Sequence, residues 1–211
     1  MKFPLLNIDG TKSESIEISD KVVKLKVNYK LIKFVIDWQF NNNKPRTAKT
    51  KQRNEIRGST KKIVAQKGSG GARHASKKAP LFVGGGVAHG PKGAVYKIKK
   101  INKKVRKQAL AQTLSKKHSD KNLYILSDVK KEVKKTKEFN NFLIKNNLIN
   151  ALIISDKDSL KNIDKSARNI KNIKLIKDIG ANIYDLFKYK NVIITSTSVK
   201  NIQNRILNEK N

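Results

Sequence analysis

Cysteine is absent from this 211-residue chain, which excludes disulfides and any zinc or iron–sulfur centre held by thiolates. Long apolar runs are missing too. The longest hold about four residues, far short of the ~20 that a membrane-spanning helix needs. The start, MKFPLLNIDG, has neither the apolar stretch of a signal peptide nor the Arg/Ser-rich character of a transit peptide. A soluble, intracellular chain with no membrane partner is therefore expected. The most informative shortage is of acid. Asp+Glu number 16 against 48 Lys+Arg, a formal net charge of +32, and such an excess calls for a polyanionic partner.

That shortage is local. Between Ile56 and Ser119 there is no acidic residue. Residues 41–107 carry 20 Lys+Arg against one acid, Glu55, so under a third of the chain supplies +19 of the formal +32. Nine of the 11 glycines lie in the same span, as do five of the seven arginines (Arg46, Arg53, Arg57, Arg73 and Arg106). Lysine is inflated throughout a chain so rich in Lys, Asn and Ile, so arginine placement is the sharper signal. A segment with few large apolar side chains and uncompensated charge cannot bury enough surface to fold alone. It needs a dense polyanion to fold against.

The remainder reads as an ordinary core-forming domain. Residues 3–8 and 15–18 are expected as two short strands around a turn at Asp9-Gly10. Ser19 or Asp20 caps a helix running to about Phe40, with Val23, Val27, Leu31, Phe34 and Trp38 on its buried face. From Asn41 to Tyr96 no period survives, and Pro45, Pro80, Pro91 and the glycines stop any element from propagating. Order returns with a helix over 102–118, Val105, Ala109, Leu110 and Leu114 inward and lysines outward. Strands at 123–126, 151–154, 173–176 and 192–195 then alternate with helices at 136–146, 155–169, 183–187 and 199–207, the second of these capped near Asp156 or Ser159. Short continuous apolar strands alternating with helices mean a mostly parallel sheet covered on both faces. The expected architecture is one α/β domain made of residues 1–40 and 101–211, with 41–100 inserted after the first long helix as an extended basic, glycine-rich loop.

Several chemistries fail on spacing. No G-x-x-x-x-G-K-[ST] phosphate loop exists, Gly84 to Gly90 misses a dinucleotide fingerprint by one position, and Lys67 to Ala72 misses as well. His74, His89 and His118 lie far apart, with no carboxylate or cysteine at ligand spacing. No cofactor or metal is expected. Asp156 and Asp158 follow a strand, where α/β enzymes place catalytic groups, but helix capping explains them as well. Lys130, Lys131, Lys134, Lys135 and Lys137 read as a solvated face, with peripheral phosphate contacts as the other use. An anionic membrane would call for bulky apolar residues opposite the charges, and the basic segment has only Leu81, Phe82 and Tyr96. Nucleic acid remains, and RNA over DNA, because no helix-turn-helix, zinc finger or basic zipper is present and an irregular basic arm suits folded RNA.

The residues themselves resemble a known family. Arg46-Thr47-Ala48-Lys49-Thr50, Glu55-Ile56-Arg57-Gly58-Ser59, Lys61-Lys62 and Gln66-Lys67-Gly68-Ser69-Gly70-Gly71-Ala72-Arg73 are similar to the loop of the large-subunit ribosomal protein L-four family. So are Ala79-Pro80-Leu81-Phe82-Val83-Gly84-Gly85-Gly86-Val87, Gly90-Pro91-Lys92 and Asn102-Lys103-Lys104-Val105-Arg106. The resemblance implies a globular α/β domain on the large ribosomal subunit and a long loop threaded through large-subunit (23S-type) rRNA. It implies early assembly, neighbouring ribosomal proteins as partners, and a loop tip near Ile63–Ser76 that lines the polypeptide exit tunnel beside the nascent chain. The setting implied is the cytoplasmic ribosome, or an organellar one. Residues expected on RNA are Arg46, Lys49, Lys51, Arg53, Arg57, Lys61, Lys62, Lys67, Gly68, Gly70, Arg73, His74, Lys77, Lys78, Lys92, Lys103, Lys104 and Arg106. Those expected on the tunnel wall are Ile63, Val64, Ala65, Gln66, Lys67 and Gly68. The tip departs from the family where Pro-Trp-Arg is frequent and Ile63-Val64-Ala65 stands here, and where Arg is common and Gly71 stands, so an aromatic and cations are missing. No enzymatic activity is expected. The competing readings are an RNA-modifying or RNA-cleaving enzyme with a basic arm and a nonspecific DNA-compacting protein. The first needs a cofactor loop or a carboxylate/His cluster at the sheet edge. The second has no use for a full α/β domain.

Overall fold

Four apolar runs in the second half of the chain form adjacent strands of one sheet in the computed structural model, which describes residues 1–7, 12–93, 99–129, 132–133 and 135–207. The expected turn at Asp9-Gly10, Ile8, Tyr96 and the lysines Lys130, Lys131 and Lys134 lie outside the described residues. The chain divides into two compact units, Met1–Phe40 with Lys100–Asn211, and Asn41–Lys99.

The first unit is α/β. Its strands are β1 (Lys2–Leu6), β2 (Lys12–Glu17), β3 (Leu123–Leu126), β4 (Ala151–Ser155), β5 (Ile173–Lys177) and β6 (Asn191–Thr195). They form one sheet in the order β2-β1-β3-β6-β4-β5. Only β1 and β2 pair antiparallel, and the remaining pairs are parallel. The helices are α1 (Asp20–Val23), α2 (Tyr29–Asn43), α3 (Lys103–Ser119), α4 (Thr136–Lys145), α5 (Lys157–Ala167), α6 (Ile183–Lys188) and α7 (Ser196–Leu207).

Strand alternation sorts the core into two layers. Ile125, Leu152, Ile154, Val192 and Ile194 point to the side packed by Val22, Ile32, Val35, Leu110, Leu186 and Ile202. Leu126, Ile153 and Ile193 point to the side packed by Phe139, Leu143 and Ile163. With both faces covered, β4 and β6 are buried at every position, which is why they read as continuous apolar runs. Capping sets the helix starts. Asn102 Oδ1 accepts from the Lys104 N–H at 3.1 Å, and Asp156 Oδ2 accepts from the N–H groups of Asp158 and Ser159 at 3.3 Å each.

Two expectations are corrected. The single helix expected from Ser19 or Asp20 to Phe40 is two, α1 and α2, parted by residues 24–28, and the second runs on to Asn43. Its buried face is Ile32 and Val35, while Phe34 is 57 % exposed and Leu31 and Trp38 are only partly covered. The break is held from α3. The Leu25 N–H donates to Ser115 Oγ at 3.1 Å and the Asn28 N–H to Gln112 Oε1 at 3.1 Å. Asn28 Oδ1 then caps α2 by accepting from Lys30 and Leu31. Nor do all lysines of α3 point outward. Lys117 is buried and its Nζ donates to the carbonyls of Tyr189 at 2.6 Å and Lys190 at 3.1 Å. Burial pushes its pKa below the ordinary lysine value.

Ser115 is buried and also lies within hydrogen-bond reach of the Val22 and Ala111 carbonyls. Replacing it with alanine strands the Leu25 N–H. Ser115→Ala is expected to lower unfolding stability in urea by about 1–3 kcal/mol. A change near zero would show that the α1–α2 break does not depend on this hydroxyl.

Candidate nucleic-acid interface

The second unit contains no α-helix or strand among its described residues beyond the end of α2. Its backbone instead runs out and returns as an irregular hairpin. The Gly93 N–H donates to the Ala48 carbonyl at 2.8 Å, Thr50 to Pro91 at 2.9 Å, Val87 to Lys51 at 2.9 Å and Ile63 to Ala75 at 2.8 Å. Lys49 and Lys92 form an isolated antiparallel bridge. These nested pairs leave residues 64–74 as the apex. On the return limb a smaller loop is closed by the Gly86 N–H on the Lys78 carbonyl at 2.9 Å.

Glycine serves this hairpin in two ways. At Gly86 a β-carbon would run into the Gln52–Arg53 backbone of the opposite limb, so only glycine lets the limbs touch. At the apex Gly68 and Gly70 have φ of 84° and 65° with open space around them, so there the need is for a left-handed backbone.

The cations point outward. Lys49, Lys51, Arg53, Arg57, Lys61, Lys62, Lys67, Arg73, Lys77 and Lys92 are exposed, and Arg46 and Lys78 are half-buried. Three of them meet in one groove of about 580 Å³, where Arg53, Lys62 and Lys78 are joined by Asn54, Thr60, Ala75 and Ser76. Asn54, Thr60 and Ser76 were not among the expected contacts. They are uncharged donors that gain meaning only once the limbs bring them beside the cations. His74 packs edge-to-face on Phe82, ring centroids 5.2 Å apart, with its Nδ1 buried and lacking a hydrogen-bond partner. At the apex Ile63 is 44 % exposed. Ala65, Gln66 and Lys67 are exposed and Val64 is half-buried. The side chains of Lys62 and Gln66 are hydrogen-bonded to each other.

Glu55, the one acid of this unit, is already engaged. One carboxylate oxygen accepts from the Gln52 N–H at 3.1 Å and the other meets Lys49 Nζ at 3.1 Å. The Gln52 N–H first, and then Lys49, hold its pKa below the usual glutamate value. Glu55 therefore ties a local turn and spends its charge on Lys49.

Lys103, Lys104 and Arg106 belong to the α/β unit and lie in the opening turns of α3. They are exposed there, and no acid accompanies them in the first turn. Cations at a helix N-terminus oppose the helix dipole, so they do not serve the helix. The Arg106 guanidinium stands 5.3 Å from the centre of the Trp38 ring.

Among the described residues the carboxylates at the sheet edge are spent on capping and pairing. Asp156 caps α5 and also accepts from the Thr195 hydroxyl at 3.2 Å. Burial acts to raise its pKa, but the hydrogen bonds from Ser159 and Thr195 outweigh that and lower it. Asp158 is an exposed first-turn acid, 3.6 Å from Lys161. Asp128 is likewise spent on the start of α7, accepting from the Ser196 hydroxyl, the Thr197 N–H and the Thr197 hydroxyl. Among the described residues no three His, Cys, Asp or Glu side chains gather as metal ligands would.

A pH test follows from Glu55. Its folded pKa is depressed, so the turn's contribution is present above the ordinary glutamate pKa and is lost as pH falls through the lowered one. The Gln52 amide proton shift should titrate with a midpoint below that of an ordinary glutamate, and Glu55→Ala should abolish the titration. A midpoint at the ordinary value would remove the turn from the free protein.

Comparison with known proteins agrees in one direction. The model of the ribosomal protein L4/L1 family matches residues 16–205. The chain is 49% identical over 206 residues to the large ribosomal subunit protein uL4 of Pelagibacter ubique, covering 97% of this chain and 99% of that protein. It is 34% identical over 206 residues to uL4 of Hyphomonas neptunium, covering 97% and 96%. It is 38% identical over 202 residues to uL4 of Geotalea daltonii, covering 96% and 97%. A match that spans both the parallel sheet and the basic hairpin leaves one conclusion: this chain is a member of the ribosomal protein L4/L1 family.

Proposed function

We propose that this chain is a structural, non-enzymatic constituent of the large ribosomal subunit, bound to large-subunit rRNA from early in assembly. The relatives are bacterial uL4 proteins, so the setting is the cytoplasmic ribosome. The observation that carries the reading is a hairpin with outward cations whose one acid is already tied to its own backbone. Such a surface matches a phosphate array and little else.

In this reading residues 1–40 and 101–211 form the globular body and 41–100 the RNA-penetrating loop. Arg53, Arg57 and Arg73 fork onto phosphates or stack on unpaired bases. The groove of Arg53, Lys62 and Lys78 seats a phosphate, with the Asn54, Thr60 and Ser76 side chains as neutral partners. Glycines keep the limbs thin enough to pass between RNA helices. The apex, Ile63 to Gly68, faces the exit tunnel and the nascent chain. Its Ile63-Val64-Ala65 presents a small aliphatic wall with no aromatic or cation at those three positions. Neighbouring large-subunit proteins complete the surroundings.

Each cation that neutralises a phosphate releases counterions, so affinity for rRNA falls with salt. The triple variant Arg53→Gln, Lys62→Gln, Lys78→Gln should flatten the plot of log affinity against log salt by about two to three units of slope. Lys161→Gln, a change on α5 where the lysine already faces Asp158, should leave the slope as it is. An unaltered slope in the triple variant would remove the groove from the interface. A chain that binds rRNA no better than a neutral protein would end the whole reading.

A further inference from the structure

The α/β unit holds a second feature that the hairpin does not account for. A pocket of about 350 Å³ opens between the end of α2, the start of α3 and the segment 179–183. Its floor is apolar: Val35, Leu110 and Ile183 line it and are buried. Its mouth is basic, with Lys103, Arg106 and Lys107 all on the lining and no acidic side chain among the described lining residues. On one wall the Trp38 ring stands with the Arg106 guanidinium 5.3 Å from its centre.

The opposite wall is fixed. The Arg205 guanidinium donates to the carbonyls of Asp178 at 3.3 Å, Ile179 at 2.9 Å and Ala181 at 2.9 Å. That arginine is spent on holding the segment in place, which keeps the pocket formed. Ile179, also on the lining, is 84 % exposed and presents an apolar side chain at the mouth.

This combination selects an occupant. An apolar floor with an aromatic wall takes a flat ring system, and a cationic rim takes phosphate. The volume sits at the low end of small-ligand pockets, so it admits a nucleotide but neither a helix nor an RNA duplex. Unpaired bases stack on aromatic rings and arginine planes, and their backbone phosphates lie beside them. We propose that this pocket receives an unpaired base of the bound RNA, stacked against the Trp38–Arg106 pair, with the adjoining phosphates on Lys103 and Lys107. The proposal rests on the reading of the chain as an rRNA-binding protein. It adds a base contact on the α/β unit to those proposed for the hairpin. It also gives a use to the cations that oppose the dipole of α3.

Trp38 is the chain's single tryptophan, so its fluorescence reports on this pocket alone. The experiment titrates the full-length protein with a large-subunit rRNA transcript. Binding is followed by anisotropy of labelled RNA and stacking by Trp38 emission. The expected result is binding accompanied by quenching of Trp38. Arg106→Gln, a change at an exposed side chain, should weaken binding by about tenfold and reduce the quench. A duplex RNA of equal length should bind through charge with no quench. Three outcomes overturn the proposal while rRNA binding stands: binding with unchanged Trp38 emission, equal quenching by the duplex, or a Trp38 response only when other large-subunit proteins are added, which would assign the pocket to a protein partner. Absence of any rRNA binding would instead overturn the proposed function from which the pocket's role is drawn.

Discussion

Uncompensated positive charge governs this molecule. Across residues 41–107 there is one acid for 20 Lys+Arg, and that acid is taken up by the Gln52 N–H and Lys49. The segment has few large apolar side chains to offset the repulsion. Its described cross-limb links are few backbone hydrogen bonds and close contacts made possible by glycine. Net interactions of this kind contribute on the order of 1 kcal/mol each, too little to order a chain of this length against its entropy and its charge. Under the proposed function, the hairpin takes this form against a polyanion.

The α/β unit supplies the complement. Its sheet is covered on both faces, and its buried acid is paired: Asp185, nearly fully buried, meets Lys174 at 2.6 Å and Asn182 at 2.8 Å. Stability there comes from hydrophobic burial, and the unit can fold before any partner arrives. Under the proposed function, one chain thus joins a body that folds by burial to an arm that folds on its partner.

Much of the body was legible because each local signal agreed with the global fold. β4 and β6 read as strands because a doubly covered strand must be apolar at every position. Of the two caps expected for α5, Asp156 rather than Ser159 serves, and it was legible because its side chain caps without help from elsewhere. The break between α1 and α2 was not legible. Residues 24–28 are steadied by Ser115 and Gln112, some ninety residues on, and with the break unseen the helical register was carried through it, putting Phe34 on the buried face. Lys117 was misread for the same reason, since the carbonyls that hold it come from residues 189 and 190. In the arm, composition revealed the cations but not the groove. Asn54, Thr60 and Ser76 become candidates only after the limbs pair. The family resemblance supplied the tip, and the nested hydrogen bond from Ile63 to Ala75 puts an apex in the same stretch of chain.

The most direct measurement is sedimentation of a cell lysate through a sucrose gradient at high salt, with fractions probed for this protein. At about 1 M salt the Debye length falls to about 3 Å, and contacts made only across an exposed surface are stripped. An arm enclosed by RNA should remain, so the protein is predicted to sediment with the large subunit. Its release to the top of the gradient would contradict the account, because it would show that the charge is used at the surface and that the hairpin is not enclosed by RNA.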